Sequence, residues 1–350
     1  LSILVEMRLI IALFFAFSLR ANALAQHKPN CLPEGPLSSA AQALLTTKGR
    51  LDAETIIRAV RAAGSDVVSV RALWQQGGDQ KKTDQWLTTF RGQADAPLVC
   101  GIGAGSNISL TIAAARGGGL HAVGPKERRI RGWLAAGFSQ PQLVLVDATG
   151  RIVHLNATIK ALWEGIGVAA DLEPPIAVQL VARGPGGPRP IAERVIPAIR
   201  KANSQGQTAS RDAILSPKES DPYVHLGQIR RARGVPSVRT NRLLAAVAAS
   251  HAQAICRTGR IAHELTPGDD PERRLTRAGV RAQGVGEALA HGESVYAAMS
   301  ALQKSPSHLM TLVDRRFTDA GIGVAKDSEK RPCVVVLLAI WPRVVGGSAP

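Results

Sequence analysis

Residues 201–218 (KANSQGQTASRDAILSPK) are polar and carry neither helical nor strand periodicity, and they split an otherwise well-patterned chain in two. That makes the stretch the best candidate for a linker between two modules. At 350 residues there is room for both. The four cysteines respect the break, with Cys31 and Cys100 before it and Cys256 and Cys333 after it. No CxxC spacing is present, and an even number of cysteines in an exported chain favours disulfides over metal ligands. Four cysteines allow three pairings; if the halves fold separately, Cys31–Cys100 and Cys256–Cys333 is the pairing that keeps each bridge within one half.

The N-terminus sets the compartment. From Met7 the chain runs MRLIIALFFAFSLRANALAQ: one arginine, an apolar run over residues 9–17, then Ala23-Leu24-Ala25. That is the grammar of a secretory signal, with cleavage expected after Ala25. The apolar run is too short to span a bilayer. Residues 333–341 (CVVVLLAIW) are equally apolar, but they are strand-length and bounded by Pro332 and Pro342, so they read as a buried strand. The expected mature protein is secreted or periplasmic and has no transmembrane anchor.

It is also basic. Against 27 Asp+Glu stand 43 Lys+Arg, a formal charge of +16 that points to acidic partners such as anionic envelope polymers or lipid. Nucleic acid fits poorly, because only 4% of residues are aromatic and the basic runs at 126–131 and 230–233 have no interleaved ring to stack on a base. Both runs read as solvated faces.

Periodicity makes each half α+β. Residues 38–47 and 52–63 have helical spacing, the second with Ile56, Ile57, Val60 and Ala63 on one face. Residues 67–73 read as a strand, 77–83 as a polar loop and 84–90 as a short helix carrying Trp86. Strands follow at 98–101, 108–115, 120–123 and 129–135. Two hairpins come next, 142–147 with 152–157 around Ala148-Thr149-Gly150, and 176–182 with 191–196 across a proline- and glycine-rich loop at 183–190. Beyond the break, residues 224–233 are helical and stop at Gly234. Residues 241–257 form the clearest helix, with Leu243, Leu244, Val247, His251, Ala254 and Ile255 on one face and Gly259 as its stop. Residues 271–278 and 294–304 are further helices, the latter with Met299 and Leu302 in a core stripe. Ser305 then reads as N-cap and Pro306 as the first residue of another helix. Residues 321–325 and 333–340 form a hairpin. The expected division is a signal peptide at 1–25, an α+β module at 26–200, a linker at 201–220, a second module at 221–342 and a tail at 343–350.

Motifs that carry chemistry are sparse. His263-Glu264 fails as a zincin signature because Pro267 stands where its second histidine belongs. There is no GxSxG elbow, and residues 101–105 (GIGAG) lack the rest of a dinucleotide fingerprint. Asn107 and Asn156 open glycosylation sequons, which matter only in a host that uses them. What remains is His263, Glu287 and His308, two imidazoles and a carboxylate that can share a proton or a divalent metal if the fold brings them together. His308, third in its helix, faces the positive end of the dipole, which favours the neutral ring that binds metal. Glu287 can hold a histidine from behind. The same groups equally make a satisfied polar cluster that pins the fold. His251, on an apolar helix face, reads as a packed core histidine, and His291 as a surface one.

Five blocks of the second half occur in a telling order: residues 229–238 (IRRARGVPSV), 243–263 (LLAAVAASHAQAICRTGRIAH), 285–290 (VGEALA), 305–308 (SPSH) and 317–325 (FTDAGIGVA). In that order they resemble the CAP superfamily (SCP domains: cysteine-rich secretory proteins, antigen 5 and pathogenesis-related 1), and most its bacterial secreted branch. The resemblance covers residues 221–342. It implies an α-β-α sandwich with a cleft lined by two histidines and two acids, of which His263, Glu287 and His308 match three. In the family the second acid comes from the helix before the last histidine; residues 299–305 contain none, and Glu293 is misplaced. Asparagine is also absent after Glu287, and Leu302 replaces the tryptophan usual before the last block.

Residues 26–200 resemble no family. Cys100-Gly-Ile-Gly echoes Ala320-Gly-Ile-Gly-Val; a degenerate duplicate of the second module would account for it, but with 34 glycines in the chain coincidence is the expected reading. The fold class expected is therefore α+β, a C-terminal α-β-α sandwich preceded by a separate α+β module. The expected function is a non-catalytic binding module at the cell envelope or outside the cell. The first alternative is a metal-assisted hydrolase in which His263 and His308 hold zinc or another divalent cation and Glu287 is the base. The second is lipid or sterol binding in an apolar groove.

Overall fold

The computed structural model describes residues 30–47, 51–121, 123–124, 128–198 and 221–341. The signal-like N-terminus, the break at 201–218 and the tail at 343–350 lie outside the described residues.

The first lobe runs β1 (Leu32–Pro33), α1 (Gly35–Leu44), α2 (Ala53–Ala62), β2 (Arg71–Gln76), α3 (Gln80–Gln93), β3 (Leu98–Ala104) and β4 (Ile108–Ala115). Its sheet has the order β1-β3-β4-β2, with β1 parallel to β3 and the other pairs antiparallel. β2 begins at Arg71 rather than Val67, because Val67 is buried among the side chains of α1 and α2 instead of joining the ladder. α3 begins at Gln80, inside the expected polar loop: the Asp79 carboxylate accepts from the Lys82 amide and caps the helix there.

The middle lobe adds β5 (Gly118–Leu120), β6 (Arg129–Ile130), β7 (Gly132–Leu134), β8 (Ser139–Val146), β9 (Ile152–Asn156), α4 (Ile159–Glu164), β10 (Ile166–Gly167), β11 (Ile176–Gly184) and β12 (Gly187–Ile196). Its main sheet is antiparallel with the order β12-β11-β8-β9 and has its own core around Leu143, Leu145, Leu162 and Leu180. Residues 183–190 are not the loop their prolines suggest. β11 and β12 pair as far as Gly184 and Gly187, so the turn shrinks to Pro185-Gly186, and Pro188 and Pro190 sit in the ladder. The ladder tolerates them because β12 is an edge strand and the register slips between Leu180 and Val181. The result is a hairpin arm long enough to reach the next lobe.

The last lobe runs α5 (Pro222–Ala232), β13 (Arg239–Thr240), α6 (Arg242–Thr258), α7 (Pro271–Arg277), β14 (Gly284–His291), α8 (Val295–Lys304), α9 (Pro306–Leu312), β15 (Asp319–Lys326) and β16 (Pro332–Ile340). The sheet order is β13-β15-β16-β14. β16 explains the apolar run at 333–341. Val334, Val336 and Leu338 pack against Leu226, Met299, Leu302 and Leu309 of α5, α8 and α9. Cys333, Val335, Leu337 and Ala339 pack against Leu244, Ala248, Ile255 and Leu275 of α6 and α7. A strand covered by helices on both faces has to be apolar at every position, and this makes the lobe an α-β-α sandwich. Cys31–Cys100 and Cys256–Cys333 are bridged, each with a Cα separation of 5.8 Å. The expected solvated run at 230–233 needs correction. Arg230 is fully buried, and its guanidinium donates to the carbonyls of Pro236 (2.8 Å) and Leu312 (2.7 Å). It ties loops together rather than facing solvent.

The Gly-Ile-Gly echo is not a coincidence of composition. The first and last lobes share strand order, strand directions and connection order. In each, a short edge strand leads into a helix whose N-cap amide donates to the strand beside it at 2.8 Å: Glu34 to the Cys100 carbonyl, Asn241 to the Ala320 carbonyl. In each, the two glycines let that helix lie on the sheet. A Cβ at Gly101 would fall 2.0 Å from the Ser38 amide, and one at Gly321 would fall 2.1 Å from the Ala245 amide. Gly103 meets Ala41 and Gln42 as Gly323 meets Ala248 and Ala249. Following the registers from Gly101 to Ile112 to Ala72, and from Gly321 to Leu337 to Glu287, aligns Ala72 with Glu287. The first lobe thus repeats the scaffold of the last with an alanine in place of the candidate carboxylate. No helix among the described residues is long and apolar enough to cross a membrane.

Candidate functional site

Glu287 occupies the middle of β14, paired with Leu337 of the central strand, so its carboxylate emerges under α6 and the segment that follows it. The side chain is almost wholly buried, and both oxygens are engaged. The Nδ1 of His263 lies 2.8 Å from Oε1, and the Arg274 guanidinium is ion-paired with Oε2. His251, one face of α6 away, comes within 4.0 Å of Oε1 while its Nε2 lies 3.0 Å from the Ala262 carbonyl. Burial alone pushes the Glu287 carboxyl up. The His263 hydrogen bond and the charges on His263, Arg274 and His251 outweigh it and hold the group below its ordinary value. Burial has the opposite consequence for His251 and lowers it, against the pull of Glu287.

Arg274 is the residue that sequence reasoning missed. It lies in PERRLTR, which reads as surface charge, yet Asp270 caps α7 and turns this one arginine inward. It donates to the His263 carbonyl at 2.8 Å as well as to the carbonyl of Asp269, and so fixes the loop that carries His263. Helical phase was the only available signal: Arg274 shares the buried side of α7 with Leu275.

His308 sits in the first turn of α9, where the sequence placed it. Ser305 stands at the N-cap position but makes no capping bond. Its hydroxyl donates instead to Gln179 Oε1 of β11 (3.1 Å) and lies 2.8 Å from His308 Nδ1. His308 Nδ1 is thereby engaged by Ser305, and its Nε2 is left without a hydrogen-bond partner among the described residues. His263 Nδ1 likewise faces Glu287 Oε1 at 2.8 Å, and its Nε2 has no hydrogen-bond partner among the described residues. The two rings are close enough to feel one another. Burial first, and then the nearby charge of His263, push His308 down to about 3.

The middle lobe lies over this cleft. Gln179 Oε1 also accepts from the Ser307 amide (3.0 Å) and hydroxyl (2.6 Å), while its Nε2 donates to Glu193 at 2.8 Å. Glu193 in turn pairs with Arg61 of the first lobe at 2.8 Å, and burial raises its pKa against the pull of Arg61 and Gln179. At the arm's tip the Glu264 amide donates to the Gly186 carbonyl (3.0 Å), and Arg183 pairs with Glu264 (2.8 Å). Gly187, at φ +94°, fits against His263: a Cβ there would stand 3.2 Å from the histidine Cβ. Asp95 clamps the same seam by accepting from Arg189 (2.8 Å) and Arg260 (3.0 Å). Both candidate histidines are left only partly accessible.

Chemically, two Nε2 atoms without hydrogen-bond partners and the carboxylate behind His263 are what a metal-binding histidine pair requires. The donor count falls short. Catalytic zinc takes three protein ligands and a water, and no group of three or more His, Cys, Asp or Glu able to hold a metal occurs among the described residues. His251 is a packed histidine, as expected. His291 is not the free surface residue expected, because its Nε2 lies 2.9 Å from Asp327 Oδ2 in a half-buried hydrogen bond.

Residues 225–338 match the family described as CAP: Cysteine-rich secretory protein family. Among solved structures, an outer surface protein of Borrelia burgdorferi is 22% identical over 34% of this chain and 90% of its own, with a TM-score of 0.32. Venom allergen-like protein 4 of Schistosoma mansoni is 15% identical over 37% of this chain and 92% of its own, with a TM-score of 0.27. An extracellular SCP-domain protein of Bacillus anthracis is 16% identical over 54% of this chain and 63% of its own, with a TM-score of 0.29. No curated protein matches the chain in sequence. The ordered blocks, the α-β-α sandwich and the family match agree, and the C-terminal part of the chain is a CAP-superfamily domain.

Proposed function

We propose that this is an exported protein whose CAP domain is a non-catalytic binding module, working at the cell envelope or outside the cell. The observation that carries the reading is the state of Glu287. A general base must reach the proton it removes, within about 3 Å or through one water. Both Glu287 oxygens are instead spent on His263 and Arg274, and the pairing keeps the carboxylate ionised and fixed. The hydrolase alternative also asks for a metal that two imidazoles do not hold in catalytic geometry. Export is supported by the two disulfides, which persist in oxidising compartments. The charge of +16 favours anionic envelope polymers as ligands.

Calorimetric zinc titration of the full chain and of its His263→Ala/His308→Ala variant tests the claim. The expected result is no saturable heat in either protein. Saturable zinc binding by the unmodified chain that the double variant loses would restore the hydrolase reading.

A further inference from the structure

We propose that α4 and the adjoining β6–β7 edge form a docking surface for an anionic lipid bilayer. α4 buries Leu162 in the middle-lobe core and turns Ile159 and Trp163, one helical turn apart, outward. They are 53% and 65% exposed, and Trp163 is the most exposed large apolar side chain among the described residues. Tryptophan gains most at a water–lipid boundary, where the ring meets acyl chains and the indole N–H keeps a polar partner.

Cations stand beside this pair. Arg129 and Arg131 cross the C-terminal end of α4, donating to the carbonyls of Gly165 (3.0 Å) and Glu164 (3.4 Å). Neither forms an ion pair among the described residues, so both charges are available to a ligand. Lys160 lies on the same helix, 3.8 Å from Glu164 in a pair open to solvent. The exposed His121 ring meets Trp163 edge-on, with centroids 6.5 Å apart. Two apolar side chains cover far less than the about 800 Å² per partner of a stable protein interface. They suffice for shallow insertion when several cations engage headgroups at the same level. This surface lies outside the His263–His308 cleft and does not depend on what that cleft binds.

Sedimentation of the full chain with vesicles tests it, using phosphatidylcholine alone and phosphatidylcholine mixed equally with phosphatidylglycerol. Binding is expected only to the mixed vesicles, and it should disappear in about 1 M salt, where charges are screened over about 3 Å. Ile159→Ser/Trp163→Ser should weaken it about tenfold or more, and Arg129→Gln/Arg131→Gln should do the same without altering α4's outward face. Brominated acyl chains should quench part of the fluorescence of the unmodified protein and none in the Ile159→Ser/Trp163→Ser variant. Failure of the unmodified chain to sediment with mixed vesicles overturns the proposal. So does equal binding by the Ile159→Ser/Trp163→Ser variant, which would show that net charge alone is responsible.

Discussion

Acidification should weaken this fold through His308. Burial, and then the charge of His263, lower its pKa from 6.5 to about 3. Because the folded value is the depressed one, the unfolded chain takes up the proton first. The contribution is complete above about pH 6.5 and is lost steadily as pH falls towards about 3. At about pH 5 the unfolded histidine is about one and a half units below its own pKa, which at 1.36 kcal/mol per unit sets an upper bound of about 2 kcal/mol. The ring retains some contact with solvent, so about 1–2 kcal/mol is the working figure. Glu287 does not confuse the window. Its folded pKa is also lowered, but from 4.5, so its contribution is intact down to about that pH and falls only below it. Urea unfolding of the full chain and of His308→Gln at about pH 7 and about pH 5 isolates the term, since the glutamine amide can still donate to Ser305 but does not titrate. His251 contributes equally to both proteins and cancels. The unmodified chain should lose about 1–2 kcal/mol more than the variant between those two conditions. Equal losses would mean that His308 is not held neutral by its surroundings, and the reasoning would fail.

Arg274→Met should cost about 3–5 kcal/mol, because it strands a buried carboxylate; adding Glu287→Leu should recover much of that, as a double-mutant unfolding cycle would report. Gln179→Ala should cost about 1–3 kcal/mol and couple strongly to Ser307→Ala, whereas Glu54→Ala, removing an exposed pair with Lys304, should cost under about 1 kcal/mol. Gly187→Val should cost about 1–3 kcal/mol through its left-handed backbone and its approach to His263, read by the same unfolding assay. Cys256→Ser/Cys333→Ser should cost about 2–5 kcal/mol, visible as a lower denaturant midpoint.

The last lobe was legible because its rules are local. Asn241 caps α6 and Gly259 stops it, and the unbroken apolar run of β16 announces a strand covered on both faces. The ordered family blocks named His263 and Glu287 as cleft residues, and the fold sets them 2.8 Å apart. The rest depends on tertiary contacts. Pro188 and Pro190 argued for a loop, and only the edge position of β12 makes them tolerable in the arm that covers the cleft. Arg274 and Arg230 look like solvent-facing charge, and what distinguishes them from Arg273 and Arg231 is the side of a helix that happens to be covered. Gln179 and Ser307 carry no site signature at all; their role exists only because two lobes meet. The repeated scaffold was visible as four residues of echo and became evidence only through strand order and register.

The central claim is that His263, Glu287 and His308 form a covered, hydrogen-bonded cluster rather than a working metal site. Histidine-selective nitrogen NMR of the full chain, titrated from about pH 8 to about pH 4 and then with zinc, measures it most directly. The account predicts that His308 stays neutral throughout and that neither Nε2 signal moves when zinc is added. A His308 titrating near 6.5, or zinc shifting both Nε2 signals together, would contradict it.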